Sequence, residues 1–277
     1  MLARAREFLL QLNPITWWLV LMVIVGLVAG VATGYLGARK IQRNSWKWRI
    51  FRRELFWAAV NVSVTTFTLG ALTTFLRDIR WITFNSEPAS WWVIILEYAI
   101  YFLGFDTWFY WWHRLMHVAP FYSLTHKVHH GSLSPNPVTS LSMHPVEGII
   151  EGAWVPVLTS CLTLHTATMV FVVPTAVLMG QYVHSGFELL PRWWNRTWLT
   201  KWFISATFHD QHHRYFKGNY GGYTTMWDRL CNTLRPRFEA DFERITTRPI
   251  KPIFGFREGR NGQVAAHGTT ERESITG

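Results

Sequence analysis

The sequence predicts an all-α fold: an integral-membrane helical bundle of about four to five transmembrane helices, two of them a hairpin, with a cytoplasmic helical cap. Three observations predict it. Hydrophobic residues make up 49% of the 277 positions and charged residues 16%, against roughly 25% charged in soluble domains. Uncharged runs long enough to span a bilayer recur along the chain. Finally, eight of the twelve histidines fall in three clusters in polar segments: His113 and His117, then His126, His129 and His130, then His209, His212 and His213. By chance a His-x-x-His-His tract is expected roughly 0.02 times in such a chain, and here it occurs twice.

Taken in order, a short segment over 1–14 precedes Ile15–Leu36, which runs without a charge. A signal peptide competes for this stretch, but the run is too long for a signal core, so an anchor helix is expected. Residues 39–53 carry seven basic side chains (Arg39, Lys40, Arg43, Lys47, Arg49, Arg52 and Arg53), which marks the cytoplasmic side. Leu55–Leu76 is a second uncharged run, and Trp91–Trp112 a third span interrupted by Glu97 and Asp106. Crossing directions then bring His113 back to the cytoplasmic face, where Trp108, Tyr110, Trp111 and Trp112 form an interfacial belt.

Residues 113–144, with Pro120, Pro135 and Pro137, read as short helices joined by turns. Pro145–His184 is a hairpin of two spans turning near Leu164–Thr166, about 30 Å from its base. The third cluster falls on a helix over about 197–214, and Gly218–Gly222 is a turn. Residues 1–257 form one integrated domain; 258–277, poor in large apolar side chains, read as a disordered tail.

This topology sorts the histidines. His113, His117, His126, His129, His130, His144, His184, His209, His212 and His213 share one membrane level. Their number suits a dinuclear site with about five nitrogens for each ion, since positions i, i+3 and i+4 of a helix turn their imidazoles to one side. His165 lies at the far end as a turn residue, and His267, in the tail, has no role. Asp106 and Glu147 are expected to accept the second N–H of ligating histidines; for Asp106 a hydrogen bond to another helix is the alternative. Glu97 should pair with another helix, while Arg114 and Lys127 point away from the metals toward lipid phosphate or an acidic partner.

Two cysteines cannot furnish a thiolate metal site, and the metalloprotease pattern His-Glu-x-x-His is absent. An all-nitrogen dinuclear site beside a bilayer points to oxygen chemistry on lipid C–H bonds rather than hydrolysis. The net charge of +10 would suit nucleic acid, but such long apolar runs exclude a simple nucleic-acid binder. The competing classes are a membrane metal transporter, whose ligands should line a path near the bilayer midplane, and a zinc-binding structural protein.

Over about residues 100–235 the chain resembles the fatty acid hydroxylase / sterol desaturase superfamily of membrane di-iron oxidoreductases. The resemblance rests on Asp106, Tyr110-Trp111-x-His113-Arg114-x-x-His117, His126-Lys127-x-His129-His130, His144-Pro145-x-Glu147, His184-Ser185-Gly186 and His209-x-x-His212-His213. The following Tyr215-Phe216-x-x-Asn219-Tyr220-Gly221 and Thr224-Thr225-x-Trp227-Asp228-Arg229-Leu230 are similar to the sterol C5-desaturase branch. The resemblance implies two iron ions held on the cytoplasmic side, with zinc as a possible substitute in purified samples. It also implies O2-dependent hydroxylation or desaturation of a sterol-like or acyl lipid in a bacterial inner membrane or the endoplasmic reticulum. Electrons would come from a separate cytochrome b5- or ferredoxin-like donor served by an NAD(P)H reductase, a partner that a basic surface suits.

Overall fold

A computed structural model describes residues 35–42 and 47–250. Most of the expected first span, Arg43 and the expected tail lie outside the described residues, and Leu36–Ile250 forms one compact unit. Among the described residues three helices are long and apolar enough to cross a membrane: α2 (Trp48–Asp78), α3 (Trp91–Met116) and α6 (Thr166–Val183). The most apolar window of each is only 11%, 22% and 17% buried, in that order. Their remaining apolar surface therefore suits lipid rather than a protein core. The short α1 (Tyr35–Arg39) precedes them, and Lys40 bridges to Phe187.

Helix α2 begins several residues before the uncharged run, taking in Arg49, Arg52 and Arg53. Its 31 residues extend about 46 Å, more than the roughly 30 Å of a hydrocarbon core, so the basic first turns reach beyond it. Glu54, on this stretch, is buried and accepts hydrogen bonds from Ser132 Oγ, from Asn136 Nδ2 at 2.7 Å and from Thr139 Oγ1 at 3.1 Å. Those bonds tie the helix to the loop that follows the second histidine cluster.

The first half of the expected hairpin is a correction. Instead of one span there are two eight-residue helices, α4 (Pro145–Gly152) and α5 (Trp154–Cys161), meeting at Ala153. Pro156 lacks the N–H that would bond the Gly152 carbonyl, so the helical ladder cannot run through. The Ile150 carbonyl instead receives Trp108 Nε1 at 2.9 Å. Helix α4 lies tightly on α2, because a Cβ on Gly148 would sit 2.2 Å from Asn61 Oδ1.

The turn expected near Leu164–Thr166 is present and carries a small addition to the all-α plan. Strand β2 (Leu164–His165) pairs in parallel with β1 (Phe84–Asn85), Phe84 opposite Leu164. Glu97 pairs across helices as expected, and with His165 itself: Oε1 accepts from His165 Nδ1 at 2.7 Å and Oε2 from its backbone N–H at 3.0 Å. His165 is thus part of a structural clasp at the end away from the other clusters.

Residues 117–144 and 184–250 lie outside the three long helices. A π-helical turn (Tyr122–His126) and 3-10 turns over His129–Gly131 and Pro137–Ser140 fill the first part. The helix expected over 197–214 is shorter: α7 spans Ala206–Tyr215. The chain before it is extended at Phe203, which bridges to Thr224, and Ser205 Oγ caps the new helix by accepting from Phe208 N–H. Helices α8 (Met226–Leu230) and α9 (Phe238–Thr246) follow. Tyr101, Leu158, Leu164, Val172 and Tyr223 form one core among the long helices; Val183, Ile204, Phe208, Phe238 and Phe242 form a second beneath α9.

Candidate metal centre

Nine of the ten predicted histidines converge. His113 sits in the last turn of α3 and His117 at its C-cap; His184 caps α6; the remaining six come from the turns of 126–130 and from α7. They form two groups, each with its nitrogens within 4.8 Å of one another: His113, His117, His126, His130 and His212, and then His129, His184, His209 and His213. The groups adjoin, with the rings of His130 and His213 4.8 Å apart.

Each His-x-x-His-His tract is divided between the groups, which corrects the expectation that one tract serves one point. His126 and His130 join the first group while His129 joins the second; His209 and His213 join the second while His212 joins the first. On α7 the reason is the helical period of about 100° per residue, which leaves positions i and i+4 close in azimuth and i+3 swung aside.

Backbone carbonyls orient four of these nine rings at 2.9 Å or less. His113 Nδ1 donates to Tyr220 O at 2.9 Å, His212 Nδ1 to Gly218 O at 2.9 Å, His213 Nδ1 to Ser132 O at 2.9 Å and His184 Nδ1 to Gly180 O at 2.8 Å. A carbonyl only accepts, so Nδ1 carries the proton and Nε2 presents its lone pair inward. Glu147 does the same for His126, Oε1 accepting from Nδ1 at 2.7 Å, as its sequence position suggested.

The inward nitrogens crowd together. Nε2–Nε2 distances are 3.1 Å for His117–His212, 3.0 Å for His117–His126 and for His130–His212, 2.9 Å for His184–His209 and 3.2 Å for His129–His184. Adjacent nitrogens about 2.1 Å from an octahedral ion would stand roughly 3.0 Å apart, whereas a tetrahedral zinc would spread them to about 3.4 Å. Five donors also exceed what a tetrahedral ion takes. The five donors of the first group fit an ion of higher coordination number, and imidazole nitrogens suit iron among other transition metals.

Burial holds the imidazoles neutral, the form that binds metal. Desolvation, then neighbouring histidines, lowers His126, His130, His209, His212 and His213 well below their ordinary range. The same causes bring His117 to about 2 and His184 to about 3.

His144 belongs to neither group. Its Nδ1 accepts from Val146 N–H at 3.3 Å, capping α4, and its ring lies against Trp57. Asp106 is also a correction, since it meets no histidine and follows the alternative of a bond to another segment. It accepts from Tyr223 N and Thr224 N, both at 2.8 Å, and from Thr224 Oγ1 at 2.5 Å. It therefore acts one step removed, fixing the loop whose Tyr220 carbonyl orients His113.

Asp228 holds the same loop through Tyr220 N at 2.9 Å and Gly221 N at 2.7 Å, a role the sequence reading did not assign. Gly218, with φ of 81° and no room for a Cβ beside Thr233 O, shapes the carbonyl that orients His212. Arg114 turns from the histidines to Tyr110 Oη and the Trp111 ring, and Lys127 is exposed.

Two spaces touch the centre. A cavity of about 380 Å³ between α2, α3, α4 and α6 is floored by His113, His126, His129, His184 and His209, with walls such as Phe105, Val173 and Val177. On the opposite side a cleft of about 720 Å³ reaches His117 and is lined by Arg114, Lys217 and Arg235 with no carboxylate.

Residues 98–233 match the sequence profile described as Fatty acid hydroxylase. The curated relatives agree with it: methylsterol monooxygenase 1 of Danio rerio is 38% identical over 128 residues, 46% of this chain and 43% of that protein. The segment 98–233 is of the fatty acid hydroxylase / sterol desaturase superfamily. Within this superfamily it is also similar to the C-4 methylsterol oxidase of Schizosaccharomyces pombe, 33% identical over 145 residues, covering 50% of this chain and 47% of that one. A Delta(7)-sterol 5(6)-desaturase of Aspergillus fumigatus is 30% identical over 162 residues, 58% of this chain and 44% of the relative. The matched segment thus spans less than half of each of these superfamily members. No solved structure matches the chain.

Proposed function

We propose that this chain is an O2-dependent di-iron oxidoreductase that hydroxylates or desaturates an unactivated C–H position of a membrane lipid. The observation that carries this reading is the position of the two histidine groups on the floor of an apolar cavity between membrane helices. When bound, a pair of iron ions supplies the activation of O2 that such C–H bonds require. Nine histidines provide the ligands, His144 having another engagement.

The chain's own residues do the rest. Tyr220 O, Gly218 O, Ser132 O, Gly180 O and Glu147 fix ring orientation and tautomer, a support that typically governs metal affinity 10–100-fold. The side chains of Phe105, Val173 and Val177 keep the cavity dry and hold an apolar body against the histidine floor. Methylsterol oxidases and a sterol desaturase among the relatives favour a sterol-like substrate.

Electrons would enter from the water side. The Arg114, Lys217 and Arg235 cleft ends at His117, and its charge suits an acidic cytochrome b5- or ferredoxin-like protein served by an NAD(P)H reductase. The basic first turns of α2 favour assigning this side to the cytoplasm.

The test is metal analysis of the purified protein with O2 uptake on addition of reductant and lipid, followed by lipid mass spectrometry of cells with and without the gene. Bound iron, and a lipid gaining one oxygen or losing two hydrogens, are expected. Metal flux into liposomes without O2 consumption, or a site closed around zinc, would remove the proposal.

A further inference from the structure

Several polar groups on the wall of the lipid cavity are bonded within the protein, while Glu147 Oε2, beside the histidine floor, is buried without a partner. Asn61 Nδ2 donates to Leu141 O at 3.0 Å, Thr65 Oγ1 to Asn61 Oδ1 at 2.9 Å and Gln181 Nε2 to Ser140 Oγ at 2.6 Å. The hydroxyls of Tyr101 and Tyr223 bond each other at 3.1 Å. Glu151 differs. It lines the same cavity, and no hydrogen bond or ion pair engages its carboxyl among the described residues. A carboxyl group in apolar surroundings without a partner is costly, and a chain that keeps one there has a use for it.

Its place on the helix says what that use is. Glu151 follows Glu147 by four residues on α4, so the two share one face, separated by about 6 Å along the axis. Glu147 is bonded to His126 and so marks the metal floor. A group held by Glu151 therefore lies in the cavity about one helical turn from Glu147, above the histidine floor. The valines, phenylalanines and methionines around it form the apolar part of the lining.

We infer that Glu151 is the acceptor for the hydroxyl of a lipid alcohol bound in the cavity above the histidine floor. This deepens the proposed function and rests on it. A C-4 methylsterol, the substrate class printed in the name of one relative, carries such a hydroxyl at C-3. The site would accordingly discriminate free alcohols from their ethers or esters.

The experiment uses the full chain in detergent, loaded with its metal, and compares binding of 4,4-dimethylcholesterol with that of its 3-methyl ether, which has no donor. A second pair, 1-octadecanol and its methyl ether, separates a sterol source of the hydroxyl from an acyl one. In the wild type the alcohol of one pair should bind about tenfold tighter than the ether, a difference of about 1.4 kcal/mol. Glu151→Leu should abolish that preference while leaving ether affinity unchanged, which also shows that the variant folds. Glu151→Gln, keeping an acceptor oxygen, should retain part of it.

A preference that survives in Glu151→Leu, or one absent from both pairs in the wild type, overturns the inference. Iron content and O2 uptake are measured on the same samples. Their absence would sink the oxidoreductase reading while leaving the hydroxyl selectivity to stand or fall by itself.

Discussion

The two walls of the histidine centre are built differently. The membrane-side wall is a cavity of about 380 Å³ whose floor includes members of both histidine groups and whose sides are mainly apolar. The water-side wall is a wider cleft of about 720 Å³ that touches a single member, His117, and carries Arg114, Lys217 and Arg235. One wall suits a neutral, water-averse molecule and the other a charged, soluble one. Under the proposed function the centre would separate two kinds of traffic, lipid from the apolar cavity and electrons from the basic cleft.

The strongest way to break that contrast is to remove ligands from either side. His129→Ala takes one of four donors from its group, three of which line the lipid cavity, and should cost at least about 100-fold in activity, with loss of metal from that group. His117→Ala leaves four donors in its group and should retain more metal. Metal content per chain checks both, and equal losses would erase the distinction.

Next in size is Glu147→Gln, which weakens the acceptor beneath His126 and should lower metal affinity about 10–100-fold, read by chelator competition. Reversing charge on the water side, with Lys217→Glu and Arg235→Glu together, should raise the KM for an acidic donor about tenfold and flatten its salt dependence, while lipid binding stays unchanged. Loss of lipid binding in that double variant would mean that the walls are not separate.

A pH series addresses both groups at once. The folded chain holds His117 near 2 and His184 near 3, against an ordinary value of 6.5. Below 6.5 the unfolded chain takes up protons that the folded one refuses, so stability falls as pH drops from about 6.5 toward 3 and is level above that window. Thermal unfolding of metal-stripped protein at pH 7.5 and pH 5 should show the lower midpoint at pH 5. The smallest effect is expected of His144→Ala, which removes a helix cap worth about 1 kcal/mol and should leave metal content intact.

Much of the centre was legible in the sequence because its ligands are spaced by helical geometry and isolated between long apolar runs. The three clusters, His184 and Glu147 were found that way. What escaped depends on contacts between distant segments. Asp106 meets Tyr223 and Thr224, well over a hundred positions away, and nothing near it announces that loop. The carbonyls of Tyr220, Gly218 and Ser132 carry no residue signature at all, since every residue has one. Glu54 resembles an ordinary charge at a membrane edge until its three partners from 132–139 are seen. The break at Ala153, by contrast, was written locally in Pro156 and was passed over for the longer apolar pattern.

The carbonyl of Tyr220 that orients His113 has a consequence for biosynthesis. His113 leaves the ribosome more than a hundred residues before the group that aligns it, and His212 precedes its own support at Gly218. Until the segment around Tyr220 has been synthesised and docked, the nascent chain exposes histidines whose tautomers are not yet selected. Under the proposed function, a fully oriented metal site would form only after that segment has docked, and truncation before it would remove the carbonyls that orient His113 and His212.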